Sequence, residues 1–186
     1  MSKYDIIVTF FTIIYGLMLA DLFLSLHKLI KAKEKVKWHW LPLLASWYLF
    51  LIILKNWWDL YSMQNSAESM NIYFFVAYGH LSLLLFLLAF TALPDVVEEL
   101  KSYYFKNHRY FWGLMTSVVI LSTIITFVKN IDNIGKVENL NVVLPIIIFI
   151  ALLLTLTLSR KYWVHSILLV LFSIETVLEI ISKAKL

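Results

Sequence analysis

The chain has 186 residues, no cysteine and a formal net charge of +4, and 61% of its residues are hydrophobic. This composition, with a mean hydropathy of +0.82, excludes an ordinary soluble domain. The absence of cysteine excludes disulfides, thiol catalysis and cysteine-ligated metal sites. These properties predict a protein that lies in a lipid bilayer.

Six apolar runs account for nearly the whole chain. Crossing the hydrocarbon core takes about 20 residues of α-helix, which is the approximate length of each run. The runs predict six transmembrane helices over residues 6–27, 41–61, 72–93, 110–128, 140–158 and 163–181. The connectors are too short for an extramembrane domain. We therefore predict an all-α, polytopic helical bundle that forms a single transmembrane domain over residues 1–186.

The longest connector, residues 95–109, has its acidic residues first and its basic residues last. That order complements the helix macrodipole. It predicts a short amphipathic helix on the cytoplasmic surface that leads into the fourth span.

Basic residues are concentrated in alternate connectors. Connectors one, three and five carry ten basic residues, whereas residues 63–70 carry none. Because Lys and Arg in short loops remain in the cytoplasm, we expect these three connectors inside and both termini outside. The basic residues form a cytoplasmic rim that either anchors lipid headgroups or docks an anionic ligand or regulator. The rim residues are Lys31, Lys33, Lys35, Lys37, Arg109, Arg160 and Lys161. Four histidines fall at the same span ends, and we expect them to make the rim titratable: His27, His39, His108 and His165.

A few ionisable residues lie within the spans. Such residues are costly in lipid, usually face the bundle interior and are functional candidates. Each also has a structural interpretation: a polar contact within the helix, or a hydrogen bond to a neighbouring helix. The candidates for a pore lining or for proton coupling are Asp21, Lys55, Asp59, His80 and Glu175.

Glu175 is the strongest of these candidates. Lys55 and Asp59 are spaced i, i+4 and can form an ion pair, and Glu179 can reach Lys183 in the same way. Glu175 has no such local partner. A carboxylate buried in lipid is unfavourable without a nearby cation, so Glu175 requires a partner on another helix, a lumen or a proton.

Three stretches of sequence resemble a known group of proteins. They are residues 15–22 (Tyr-Gly-Leu-Met-Leu-Ala-Asp-Leu), residues 57–61 (Trp-Trp-Asp-Leu-Tyr) and residues 93–112, with Leu-Pro-Asp near the start and Asn-His-Arg-Tyr-Phe-Trp at the end. The chain resembles small, uncharacterised bacterial multi-span inner-membrane proteins over about its first 115 residues. The resemblance implies a bacterial inner membrane and a multi-helix bundle. It implies no activity and no functional residues.

Nucleotide-binding, zinc-protease and nucleophile-elbow motifs are absent from the sequence, so we expect no enzyme activity, no cofactor and no metal site. We also expect no direct nucleic-acid binding. The scattered intramembrane polar groups favour a homo-oligomeric ion channel or pore-forming effector gated from the cytoplasmic face. Small spanning effectors of this kind occur in phage defence. The alternative is a small-molecule or proton-coupled transporter. Transporters have broken helices, and four glycines and three prolines offer few breaks.

Overall fold

In the computed structural model, residues 3–62, 72–94, 99–129 and 140–184 are described, and they form a helical bundle. The described helices are α1 (Lys3–Lys31), α2 (Trp40–Tyr61), α3 (Ile72–Ala92), α4 (Leu100–Lys129), α5 (Leu140–Leu158) and α6 (Tyr162–Ala184). Each predicted span coincides with one of these helices. The all-α fold class is confirmed.

Five of the helices, α1, α2, α3, α4 and α6, are long and apolar enough to cross a membrane, and residues Val143–Leu158 of α5 form a shorter apolar helix. The predicted connector helix is not a separate element in the described residues. Instead, α4 starts at Leu100 and runs for 30 residues to Lys129. No proline or second glycine interrupts it after Gly113, so the connector and the fourth span form one continuous helix.

The surface of the bundle is apolar, as expected for a surface in contact with lipid. Leu17, Ile147 and Leu178 are each more than half exposed. A soluble protein rarely leaves so many large apolar side chains in water. The structure therefore supports a membrane-embedded protein.

Helix α2 lies at the centre of the bundle. It packs against α1, α3, α4 and α6, and it is the most buried of the candidate spans. Its Tyr48 is fully buried beside Trp112 of α4. Helix α5 packs extensively on α4 but has few contacts with α6, although a short turn joins α5 to α6. This separation of α5 from α6 leaves space between them.

The three basic connectors meet at one end of the bundle. The Leu100 N–H donates to the Lys37 carbonyl at 3.2 Å, which joins the first connector to the start of α4. The Trp40 indole N–H donates to the Tyr162 hydroxyl at 2.6 Å, which joins α2 to α6. We call this the basic end.

His39 caps α2 at the basic end. Its Nδ1 accepts a hydrogen bond from the Leu41 N–H at 3.3 Å, and its ring packs edge-on against Tyr162. Burial lowers the pKa of His39; nearby Lys101 lowers it further, and Glu99 opposes both effects. The imidazole is therefore neutral at pH 7 and free to accept the capping hydrogen bond.

We expect the His39 cap to make stability depend on pH. A histidine whose pKa is lowered by folding stabilises the protein above its unfolded pKa of about 6.5 and loses that contribution as the pH falls. His39→Asn keeps a capping side chain that does not titrate. Between pH 7.5 and 5.5 the melting temperature in detergent should fall more for the native protein than for His39→Asn. Equal falls would contradict the assignment.

Candidate functional site

A polar cavity of about 570 Å³ lies between α2, α4, α5 and α6, with α3 behind it. Its walls come from the last turns of α2, α4 and α6 and from the first turns of α5, so it lies toward the end opposite the basic end. The cavity occupies the space that opens where α5 makes few contacts with α6.

An ion pair crosses the cavity wall. The Lys55 Nζ on α2 lies 2.8 Å from a carboxylate oxygen of Glu179 on α6, and the two side chains are 27% and 40% exposed. Sequence spacing suggested Asp59 as a partner for Lys55 and Lys183 as a partner for Glu179. The Lys55–Glu179 ion pair joins two helices that are far apart in the sequence. The Lys183 side chain lies outside the described residues.

Glu175 lines the same cavity, one turn before Glu179 on α6. Among the described residues, none donates a hydrogen bond to the Glu175 carboxylate or forms an ion pair with it. Asp59, also predicted from the sequence, lines the wall contributed by α2. The cavity thus brings together three of the five predicted candidates, Lys55, Asp59 and Glu175.

The α4 wall supplies hydroxyl groups. The Ser122 and Thr123 hydroxyls donate to the Val119 carbonyl, at 3.0 and 2.7 Å. Because each hydroxyl donates its one hydrogen to a backbone carbonyl, only the acceptor capacity of its oxygen remains for the cavity. The α4 wall therefore suits a solute that donates hydrogen bonds.

Aromatic rings close the cavity toward the basic end. Tyr48 and Phe149 line the cavity floor, and both contact Phe172, with ring centres 5.9 and 4.9 Å away. Behind Tyr48, the Trp112 ring lies in a stacked orientation with ring centres 6.3 Å apart. Phe172 and Trp112 are both buried. Among the described residues, aromatic rings therefore close the cavity on the side of the basic end.

A chain of hydrogen bonds lies behind this floor. The Trp112 indole N–H donates to the Tyr104 hydroxyl at 2.9 Å, and that hydroxyl lies 2.8 Å from Nδ1 of His165. Nε2 of His165 lies 2.9 Å from the Ser159 carbonyl, which can only accept. We therefore assign the proton of the neutral imidazole to Nε2, so that Nδ1 accepts from Tyr104. The chain joins α4, α6 and the turn before α6.

Two of the predicted rim histidines lie in the interior. His165 is fully buried and His108 is 2% exposed. Their rings are 5.6 Å apart, and Nδ1 of His108 donates to the Phe105 carbonyl at 2.7 Å. The expectation that these two histidines form part of an exposed, titratable rim is wrong, because the continuous α4 and the start of α6 bury them against each other.

The other predicted candidates lie outside the cavity. Asp21 is partly exposed on α1, and His80 is exposed on α3, where its Nδ1 contacts the Val76 carbonyl at 2.8 Å. The rim residues are all exposed at the basic end. They are Lys31, Lys33, Lys35, Lys37, Arg109, Arg160 and Lys161.

Sequence reasoning missed several residues of the cavity. Glu179 was assigned a local partner, although its i, i+4 spacing from Glu175 already indicated a shared helix face. Pro145 also lies in the cavity wall. A proline cannot donate to the carbonyl four residues earlier, so α5 lacks one backbone hydrogen bond at the wall, although the helix continues through Pro145.

Comparisons with known proteins assign no identity to the chain. No protein-family model, curated protein or solved structure matches it. The resemblance to small bacterial inner-membrane proteins therefore stays a prediction. A role for the cavity depends on the geometry of the cavity itself.

The Lys55–Glu179 ion pair should give a measurable coupling energy in a double-mutant cycle. We expect Lys55→Gln and Glu179→Gln each to lower the stability in detergent, and the double variant to lose less than the sum of the two. The expected coupling is about 1 kcal/mol, because solvent in the cavity screens the pair. Thermal or denaturant unfolding of the four proteins measures it. Strictly additive losses would rule out the pair.

The Tyr104 hydroxyl should stabilise the region behind the cavity floor. Tyr104→Phe leaves the Trp112 N–H and the His165 Nδ1 buried without partners, at a cost of about 2 kcal/mol. Thermal unfolding in detergent measures this loss. Tyr110→Phe is the matched control, since Tyr110 is 52% exposed. A similar melting temperature for both variants would show that the chain of hydrogen bonds adds no stability.

Proposed function

We propose that this membrane protein is a transporter that binds a small organic cation in the cavity between α2, α4, α5 and α6. The observation that carries the proposal is a cavity within a single chain that is lined by ionisable groups and closed by aromatic rings toward the basic end. A transporter requires a site that is accessible from one side at a time. A continuous pore through one chain would lack such a floor.

The charges in the cavity favour a cation. Three carboxylates, of Asp59, Glu175 and Glu179, line it together with one ammonium group, that of Lys55. The ion pair with Glu179 offsets the charge of Lys55. A cationic solute therefore meets an excess of negative charge among the described residues of the cavity wall.

The remaining wall suits an organic cation that carries N–H groups. The hydroxyl oxygens of Ser122 and Thr123 can accept hydrogen bonds from such groups. The rings of Tyr48 and Tyr78 line the same space, and aromatic faces attract cations. Glu175 is the principal binding group in this proposal because it has no partner among the described residues.

Helix α5 supplies a candidate moving element. It makes few contacts with α6, and it carries Pro145 at the cavity wall. Proline removes one backbone hydrogen bond and permits a bend. This weak point in α5 bears on the main sequence argument against a transporter, the shortage of residues that interrupt helices. With the basic connectors in the cytoplasm, the cavity lies toward the outer face, and release inward requires the aromatic floor to separate.

A second candidate function is the homo-oligomeric ion channel predicted from the sequence. One observation favours it: His80 is exposed on α3, so a second copy packed there would shield a polar group from lipid. In that arrangement several copies share a lumen, and a cytoplasmic regulator acts at the basic end. The role in phage defence rests on analogy alone.

Transport by purified protein in phosphatidylcholine liposomes tests the proposal. The probes are ethidium, guanidinium and spermidine, with a membrane potential negative inside as the driving force. We expect saturable uptake of at least one probe and a loss of about tenfold or more in Glu175→Gln, because the variant removes the unpaired negative charge. Glu34→Gln is the matched control, since Glu34 is exposed at the basic end. Its uptake should equal that of the native protein.

Electrical recording on the same liposomes separates the two functions. Ohmic currents without saturable uptake would replace the transporter with the channel. Neither currents nor uptake of any probe would reject both. Uptake that is equal in the native protein and in Glu175→Gln would place the binding site elsewhere.

A further inference from the structure

A second recess, of about 720 Å³, lies at the basic end, far from the cavity along the helices. It lies between the first turns of α4 and the turn that joins α5 to α6. The residues around it are Glu99, Lys101, Ser102, Phe105, Lys106 and Arg160. The transport proposal uses none of these residues.

The recess concentrates positive charge from two parts of the chain. Ser102 and Lys106 are four residues apart on α4 and share one face of that helix. Arg160 comes from the turn before α6. Three cations, those of Lys101, Lys106 and Arg160, surround the recess with one carboxylate, that of Glu99. The recess therefore carries a net charge of two positive units.

Aromatic residues place the recess at the level of lipid headgroups. Lys101 Nζ lies 5.6 Å from the centre of the Tyr162 ring, and the Tyr162 hydroxyl accepts the Trp40 N–H. Trp163, the next residue, is 59% exposed, and Tyr110 on α4 is 52% exposed. Exposed Trp and Tyr at the ends of spanning helices lie at the boundary between hydrocarbon and headgroups. The recess is therefore within reach of a membrane phosphate.

Phe105 gives the recess an apolar border. It lies one turn after Lys101 on α4, between Lys101 and Lys106, so the recess combines basic groups with an aromatic surface. A free anion gains no stabilisation from such an apolar surface, whereas the glycerol and acyl chains of a lipid can pack against it. The combination of charge, depth and apolar border favours a lipid over a soluble phosphate.

We propose that this recess binds the headgroup of an anionic phospholipid that carries two negative charges. Arg160 binds phosphate oxygens through its guanidinium, which matches phosphate geometry in a bidentate way, and Lys106 supplies a second cation. The Ser102 hydroxyl donates a further hydrogen bond. The net charge of two positive units matches a headgroup with two negative charges, because the net Coulomb attraction grows with the headgroup charge and exceeds the repulsion from Glu99.

Lipid retention by the full chain tests this site. The detergent-purified protein is titrated with cardiolipin, phosphatidylglycerol and phosphatidylcholine, and bound lipid is counted by native mass spectrometry. We expect cardiolipin to bind most tightly. In the double variant Lys106→Gln, Arg160→Gln we expect its apparent Kd to rise roughly thirtyfold, since two basic contacts at the membrane surface are lost.

The matched control is the double variant Lys33→Gln, Lys35→Gln. It removes the same charge from the same end of the bundle, beside a different shallow recess that is built from a single segment of the chain. Its cardiolipin affinity should stay within about threefold of the native value, as expected for general surface electrostatics at longer range. The melting temperatures of both double variants verify that each is folded.

Three results would overturn the proposal. Equal losses in the two double variants would mean diffuse attraction by the whole basic end. Unchanged binding in the Lys106→Gln, Arg160→Gln variant would mean that the recess does not hold the lipid. Displacement of cardiolipin by millimolar glycerol 3-phosphate as effectively as by short-chain lipid would identify a soluble phosphate ligand instead.

Discussion

The ion pair between Lys55 and Glu179 is the interaction on which the polar half of the bundle depends. Lipid offers no partners to a charged side chain, so the positive charge of Lys55 must be offset within the protein. Glu179 offsets it at 2.8 Å and thereby holds α6 against α2. Because α5 makes few contacts with α6, the space beside this pair stays open and becomes the cavity.

The two ends of the bundle are chemically opposite. One end has connectors rich in lysine and arginine, joined by the contacts of Lys37 with Leu100 and of Trp40 with Tyr162. The other end has a cavity with more carboxylates than ammonium groups. Charges of opposite sign at the two ends give the protein a direction across the membrane. That direction underlies both proposals, a cation in the cavity and an anionic headgroup at the basic end.

The region between the two ends is aromatic and polar at once. Tyr48, Trp112 and Phe172 exclude water from it through ring packing. Hydrogen bonds among three residues satisfy the indole N–H of Trp112, the hydroxyl of Tyr104 and Nδ1 of His165 in the interior. A barrier of this kind is rigid while its hydrogen bonds are complete, and opening it requires several of them to break together. A cavity floor that opens only when several contacts break together is consistent with a site that is exposed to one side of the membrane at a time.

Much of the fold could be predicted because lipid imposes a simple rule. Every backbone polar group must be satisfied within its own helix, so each apolar run coincides with a described helix, although α4 begins at Leu100, well before its run. The candidate site was only partly predictable. Glu175, Lys55 and Asp59 stood out as ionisable residues in apolar runs, and all three line the cavity. Asp21 and His80 stood out in the same way but lie outside the cavity, because hydropathy does not determine which face of a helix is turned toward the cavity.

The sequence by itself determined the positions of the six apolar runs and the concentration of basic residues in alternate connectors, since these follow from local composition and the thickness of the bilayer. Only the tertiary structure decided that Lys55 meets Glu179, that His108 and His165 are buried together, and that Pro145 lies in a cavity wall. Each of these depends on how a helix is rotated about its own axis and on which helices pack against it. Helix packing determines the rotation and the neighbours, and it arises from contacts between residues far apart in the chain.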